Sequence, residues 1–392
     1  MSVLLICDIF ILFCLIFQEF NSKLLKKFGE ATIIFIFFII AGLSYKIHDD
    51  LYIYEKIYYL ANLKNFNQIL FEKGYIFLNI IFNQLINFEI FKILIYFINT
   101  ILIYCGLKKI TKKNITLIFA FLFFYSSFYD LFISAFRQQI AVSIFIYSLN
   151  YIKEKKHEKY IICILIASLF HKSAFIFIFL SFIFNYIKIN KKYIILYLLI
   201  IFTALFFPIY KYLILFFLKM VSLVFKNIIF REAYFSLIFN FSLKTIIINL
   251  LVVVFYFLMY KKIKGKKNIF ILKGYICYLF FVSLSKEIPI FYRFNQYLII
   301  FYILMLTIII DNIKNKFSKI TIKYSIVIFF ILNYNFLYFF STPIYDRKYT
   351  PLYFYFEKFI KEIEYKNTAQ YKKMLKRFGK SEINMNDYIK NK

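Results

Sequence analysis

Apolar runs of about 15 to 20 residues recur along this chain from its first turn to residue 341. Continuous runs of that length predict membrane-crossing α-helices, because a β-barrel strand would instead alternate apolar and polar positions with period two. The pattern places helices at about 3–20, 31–45, 89–107, 114–129, 134–152, 160–171, 173–187, 193–207, 243–260, 268–284, 294–310 and 323–341. The expected fold class is therefore an all-α polytopic integral membrane protein of about 12 transmembrane helices, some short or broken, with re-entrant or interfacial segments. It would comprise one membrane domain over residues 1–341 and a Lys-rich tail over 342–392.

Five short basic loops orient the spans: KLLKK (23–27), KKITKK (108–113), KEKKHEK (153–159), KINKK (188–192) and KKIKGKK (261–267). The positive-inside rule assigns all five to the cytoplasm. The opposite face then receives the mixed-charge loop 46–74, the turns near Asp130 and His171, the irregular stretch 208–242, and SKEIPIFYR (285–293). Segments 75–87 and 209–225 read as interfacial or re-entrant helices. The first apolar run has no positive start and carries Asp8, so a retained helix is expected rather than a cleaved leader. The run from Tyr160 to His171 spans roughly 18 Å of helix against a hydrocarbon core of roughly 30 Å. It must borrow the stems of Lys156 and Lys159, or form with residues 173–187 a hairpin whose tip carries His171 below the outer surface.

Charge changes this picture little. The net charge of +30 comes from Lys scattered through loops, not from a concentrated basic face, so nucleic acid is not an expected partner. Of 50 basic residues only five are arginine, at 137, 231, 293, 347 and 377, which makes each arginine a candidate for work that lysine cannot do. Cys7, Cys14, Cys105, Cys163 and Cys277 all lie in apolar runs and read as small hydrophobes. No metal triad or dinucleotide fingerprint is present, and only seven glycines occur, so neither a metal nor a nucleotide-sugar site nor any other cofactor is expected.

The candidate chemistry collects on the outer face. Arg137 opens the helix at 134–152, His171 sits at a tip, and Arg293 begins the helix at 294–310. Arg137 can be a snorkelling anchor. The adjacent Gln138 and Gln139 make that turn too polar to face lipid, and a guanidinium buried there asks for an anion, of which a diphosphate is a natural one. His171 can cap a helix break or act as general acid or base. Asp49, Asp50 and Glu72 in the outer loop are surface charges or candidate bases. Tyr52, Tyr54, Tyr58 and Tyr75 belong to an interfacial belt or stack on sugar rings.

Four elements in order resemble a known family. SAFRQQIAVSIFIYSLNYI, a basic turn, and ILIASLFHKSAFIFIF look like the EpsG family of bacterial exopolysaccharide proteins. FEKGYIFLN resembles that family's Glu-Pro-Gly-Tyr element, with Lys73 where proline is usual. HDDLYIY resembles its acidic, Tyr-rich first outer loop, and FYRFNQYLI, which contains Tyr297, resembles its later Arg-Phe-x-x-Tyr helix start. The likeness spans about residues 45–300.

The resemblance implies a Wzy-like polymerase of the bacterial cytoplasmic membrane that joins repeat units carried on undecaprenyl diphosphate at the outer face. It implies a lipid-linked oligosaccharide as substrate, membrane lipids as surroundings, and a flippase and a chain-length regulator as partner proteins. On this reading His171, Asp50 and Glu72 supply proton transfer, and Arg137 and Arg293 hold the diphosphate. Gln138, Gln139, Asp49, Tyr52, Tyr75 and Tyr297 contact substrate. A flippase that uses the same arginines as a relay, or a ligase moving finished glycan, is the alternative.

Overall fold

The computed structural model describes residues 3–45, 49–69, 71–111, 114–125, 131–132, 135–206, 266–285, 290–339 and 353–354. The expected span at 243–260, the stretch 208–242 with Arg231, and His48 lie outside them, as does the tail apart from Tyr353 and Phe354. The described helices are α1 (Val3–Phe17), α2 (Lys23–Leu43), α3 (Asp49–Leu60), α4 (Lys73–Phe82), α5 (Phe88–Ile110), α6 (Ile115–Phe124) and α7 (Phe136–Lys153). They continue as α8 (His157–Ser168), 3₁₀ turns over Lys172–Phe179, α9 (Leu180–Tyr186), α10 (Lys191–Phe206), α11 (Lys266–Ser285), α12 (Ile290–Asp311) and α13 (Lys316–Phe339). Two residue pairs, Ser44 with Phe354 and Tyr45 with Tyr353, form a minimal antiparallel bridge.

Among these, α5 (88–110) and the stretches Asn268–Ser285 and Phe291–Asp311 are long and apolar enough to cross a membrane. Ile6, Ile9, Phe10, Phe13 and Ile16 of α1 and Phe35 of α2 are exposed, and apolar surface of that extent belongs against lipid. The chain is a helical membrane protein. The predicted helix at 160–171 is α8, twelve residues long, and it is followed by 3₁₀ turns and the seven-residue α9 instead of a continuous helix. Within the mixed-charge stretch 46–74, α3 forms, with Leu51, Ile53, Tyr54, Ile57 and Tyr58 buried.

The chain divides into two compact units. The first holds Met1–Tyr151, Glu158–Phe175 and Tyr324–Lys392; the second holds Ile152–His157 and Ile176–Lys323. In the first, α1 packs on α2, and α2 on α5 and α6. The start of α5 has the local chemistry a helix end needs. The Asn87 side chain accepts from the Ile90 N–H at 2.9 Å, Glu89 lies in the first turn, and Lys108 and Lys109 lie in the last, each complementing the helix dipole. Tyr96 packs on Phe136 with ring centroids 5.5 Å apart, and further along Gly106 meets Ile146 and Tyr147, so α5 and α7 run parallel. A Cβ at Gly106 would stand 2.8 Å from the Ile146 carbonyl oxygen, so this close crossing requires glycine. Small residues at crossings are how membrane helices gain packing, since lipid tails are as apolar as leucine.

In the second unit α11 lies along α12, and α10 and α9 pack on α11. Tyr275, Tyr278 and Tyr302 form a stacked group between α11 and α12. The Asn295 amide donates to Ser285 Oγ at 3.0 Å within the same pair.

Gly106→Leu is expected to destabilise the protein by about 1–3 kcal/mol through overpacking. The apparent unfolding temperature in detergent should fall. Ile98→Leu, at an exposed position of the same helix, should leave it unchanged.

Candidate functional site

The site is assembled in the first unit from three stretches distant in sequence: the turn before α4, the first turn of α7, and the turn after α8. Glu72 is the N-cap of α4, with extended backbone at φ −62° and ψ 136°, yet its side chain makes no capping hydrogen bond. The carboxylate is thus left for tertiary partners. Two residues on, the Gly74 N–H donates to the Leu169 carbonyl at 3.0 Å, and a Cβ there would stand 2.7 Å from the same oxygen. Only glycine allows α4 to seat its start on the end of α8. Lys73, which stands where the resembled element has proline, donates through Nζ to the Phe66 carbonyl at 2.6 Å and lies over the Phe66 ring at 4.8 Å. A side-chain tie thus steadies a loop that proline would stiffen through its ring.

Arg137 is placed by its neighbour. Phe136 is fully buried among Tyr54, Tyr75, Phe88, Phe91 and Tyr96, with ring centroids 5.5–6.4 Å away. With Phe136 locked, the next side chain leaves the first turn of α7 toward Glu72. Arg137 Nη1 donates to Glu72 Oε2 in an ion pair whose side chains are only 20% and 11% exposed. The guanidinium lies over Phe71 at 3.8 Å and near Tyr54 at 5.6 Å, so ring faces cover the charge where water does not. Its Nε–H is buried without a hydrogen-bond partner among the described residues.

The other Glu72 oxygen ties this pair to the histidine turn. Oε1 accepts from the Lys172 backbone N–H at 3.3 Å. His171 is buried, its backbone held by His171 N–H to the Ala167 carbonyl at 3.1 Å and by the Ala174 N–H to its own carbonyl at 3.0 Å. Its Nδ1 accepts from the Ser173 N–H at 3.3 Å and lies 2.7 Å from Ser173 Oγ. Arg137, Glu72 and the His171 turn therefore form one linked set of cation, carboxylate and imidazole.

The remaining sequence candidates fall as follows. Gln138 and Gln139 are buried in α7. Neither end of the Gln139 amide has a partner among the described groups. Tyr75 is fully buried one turn before Asn79, and no geometrically sound hydrogen bond ties its hydroxyl or the Asn79 amide to each other or to a third described group. Asp49, Asp50 and Tyr52 lie in the first turn of α3, and their side chains are outside the description. Arg293 is exposed near the start of α12, and Tyr297 is buried there with its ring 4.7 Å from Phe177; both belong to the second unit.

Sequence reasoning did not single out Phe71, Asn79 or Lys92. Phe71 adjoins the chosen Glu72, which was the available signal. Lys92 is fully buried in α5, with the Glu89 and Glu55 carboxylates acting on its charge; a lysine inside an apolar run marks it. Burial, with Tyr59 adding, pushes the Tyr58 phenol up to about 12. Its hydroxyl donates to the Ile86 carbonyl at 2.8 Å. Among the described residues no three His, Cys, Asp or Glu side chains come together as a metal cluster.

A family model described as "EpsG family" matches residues 31–355. Comparison with curated proteins and with solved structures gives no match.

Removing one partner of a buried ion pair strands the other charge. Arg137→Gln and Glu72→Gln should each lower stability, and the double variant should recover about 1 kcal/mol relative to the sum of the two. A double-mutant cycle on unfolding in detergent measures this, and strict additivity would mean the pair carries no coupling.

Proposed function

The chain belongs to the EpsG family, and from that premise we propose that it is a polymerase joining lipid-diphosphate-linked oligosaccharide repeat units at the outer face of the cytoplasmic membrane. The observation that supports this reading is the Arg137–Glu72 pair tied through Lys172 to the histidine turn. It supplies an anion-binding guanidinium, a carboxylate and an imidazole, which are the groups that glycosyl transfer from a diphosphate carrier needs.

The mechanism proceeds by exchange of partners. The diphosphate replaces Glu72 on the guanidinium, whose planar fork matches phosphate oxygens in a way an ammonium does not. Glu72, freed of its counter-ion, takes the proton of the acceptor hydroxyl; Asp50 and His171 are the other groups the site offers for that proton. The acceptor oxygen's lone pair forms the new bond to the anomeric carbon while the carbon–oxygen bond to the diphosphate breaks, its electron pair leaving with the diphosphate. Direct displacement of this kind inverts the anomeric centre. Stabilising the departing charge is the larger contribution. Gln138, Gln139, Tyr75 and the start of α3, with Asp49 and Tyr52, contact the sugars. The polytopic arrangement of about 12 spans keeps the carrier's polyprenyl chain in the bilayer.

The test uses purified protein in liposomes supplied with an undecaprenyl-diphosphate-linked repeat unit, with products resolved on a gel. Wild type should give a ladder. Arg137→Ala should lower its rate by about 10²–10³-fold, and Arg137→Lys should recover only part of it. Arg293→Ala, run separately, should also lose rate if the second guanidinium of the family pattern contacts diphosphate. A wild type that makes no ladder, but moves the lipid-linked unit between leaflets, would replace the polymerase with a transporter.

A further inference from the structure

α5 and α7 meet along a seam whose contacts are fixed at both ends. Tyr96 packs on Phe136 with ring centroids 5.5 Å apart, and further along each helix Gly106 stands against the Ile146 carbonyl. Both contacts join a residue of α5 to the one forty places later in the chain, so the two parallel helices keep one register. At about 100° per residue, positions 96, 99, 103 and 106 fall within an arc of about 80° on α5, and 136, 139, 143 and 146 fall within the same arc on α7. That register sets Asn99 opposite Gln139 and Ile103 opposite Ser143. All four are buried, Asn99 at 1% exposure and Gln139 at 0%. Asn99 also lies midway between Phe88 and Ile110, in a helix long and apolar enough to cross a membrane.

An amide at that depth is costly unless it is hydrogen-bonded. The neighbouring hydroxyl protons are spent inside their own helices: Thr100 Oγ1 donates to the Tyr96 carbonyl at 2.8 Å, and Ser143 Oγ to the Gln139 carbonyl at 2.9 Å. The Asn99 Nδ2–H and both ends of the Gln139 amide bond to no described group, so the two side chains that the register sets face to face do not bond to each other. Two N–H donors and one carbonyl acceptor thus share one enclosed level of the seam. A buried water typically makes about three hydrogen bonds, and this set matches that number.

We propose that the centre of the α5–α7 seam is a water-binding site, in which one enclosed water accepts from Asn99 Nδ2–H and Gln139 Nε2–H and donates to Gln139 Oε1. The water links the two helices by hydrogen bonds through their buried faces, one turn inward from Phe136, whose neighbour is Arg137. A sugar hydroxyl has the same bonding chemistry, but exposures of 0% and 1% admit only a ligand small enough to be enclosed. The site belongs to the protein without substrate and does not rest on the polymerase reading; a sugar reaches Gln139 only where this seam opens.

The test uses full-length protein carrying ¹⁵N-labelled glutamine in nanodiscs, without substrate, and reads magnetisation transfer between the side-chain amide protons and water. Gln139→Leu assigns the Gln139 signal by removing it. In wild type the Gln139 amide should show a cross-peak to water. Asn99→Leu, which withdraws one of the three partners and fills the level with a methyl-bearing side chain, should abolish that cross-peak. Asn99→Ser, which keeps a hydroxyl donor at the same place, should retain it. A wild-type cross-peak from Gln139 to the Asn99 amide in place of water would show a direct bond between the helices and overturn the proposal. Absence of both cross-peaks would overturn it as well, as would a water cross-peak that persists unchanged in Asn99→Leu. If Asn99→Leu does not fold, the wild-type spectrum still decides between water and a direct bond. Because no substrate is present, a wild type that makes no polysaccharide ladder leaves each of these outcomes as it stands.

Discussion

The Arg137–Glu72 ion pair joins segments 65 residues apart, and the geometry of the site depends on it. Withdrawing two charges from water costs several kcal/mol each unless partners replace the lost solvation. Here the replacement is specific. Phe71 and Tyr54 cover the guanidinium with their ring faces, and the Lys172 N–H satisfies the second carboxylate oxygen. One carboxylate thereby fixes the helix that begins at Lys73, the helix that begins at Phe136, and the turn that carries His171. Each contact is local, yet together they set a cation, an anion and an imidazole in fixed relation.

Packing upstream of the pair makes this possible. Phe136 sits in an aromatic cluster drawn from α3, α4 and α5, so its neighbour Arg137 has little freedom of direction. Gly74 and Gly106 allow backbones to approach where any side chain would intrude. In a membrane, where burial of apolar surface does not by itself draw helices together, such close approaches supply much of the association. The same close packing leaves the Gln139 and Asn79 amides and the Arg137 Nε–H buried without described partners. Buried polar atoms of this kind are unusual in proteins and concentrate where something else is bound or exchanged. Of these, the Arg137 Nε–H belongs to the ion pair itself.

Glu72 and His171 are held by different donors. Glu72 accepts from the Arg137 guanidinium and from the Lys172 N–H, and in the proposed reaction a phosphate would claim that guanidinium from it. His171 Nδ1 receives the Ser173 N–H and lies 2.7 Å from the Ser173 hydroxyl, which can donate to it or accept from it.

Apolar run length was legible in the sequence because helix geometry is local. The spans at 89–107, 268–284 and 294–310 correspond to the three stretches that, among the described residues, are long and apolar enough to cross a membrane, and the broken character of 160–187 followed from a run too short for the bilayer. Arg137, His171 and Glu72 were legible as candidates, because charge and imidazole stand out in an apolar, lysine-dominated chain. The helix inside the mixed-charge loop, α3, was not singled out, although the positions it buries, Leu51, Tyr54 and Tyr58 with Ile53 and Ile57, are spaced at i, i+3 or i+4, and i+7, because charged residues interleave with them. Nor could spacing show that Glu72 would be Arg137's partner, that Phe71 would cover the guanidinium, or that the Lys172 N–H would take the second carboxylate oxygen. Those are facts of distance and direction across 65 and 100 residues of chain. Composition and run length are properties of neighbours in sequence, whereas an ion pair between distant segments is decided by neighbours in space.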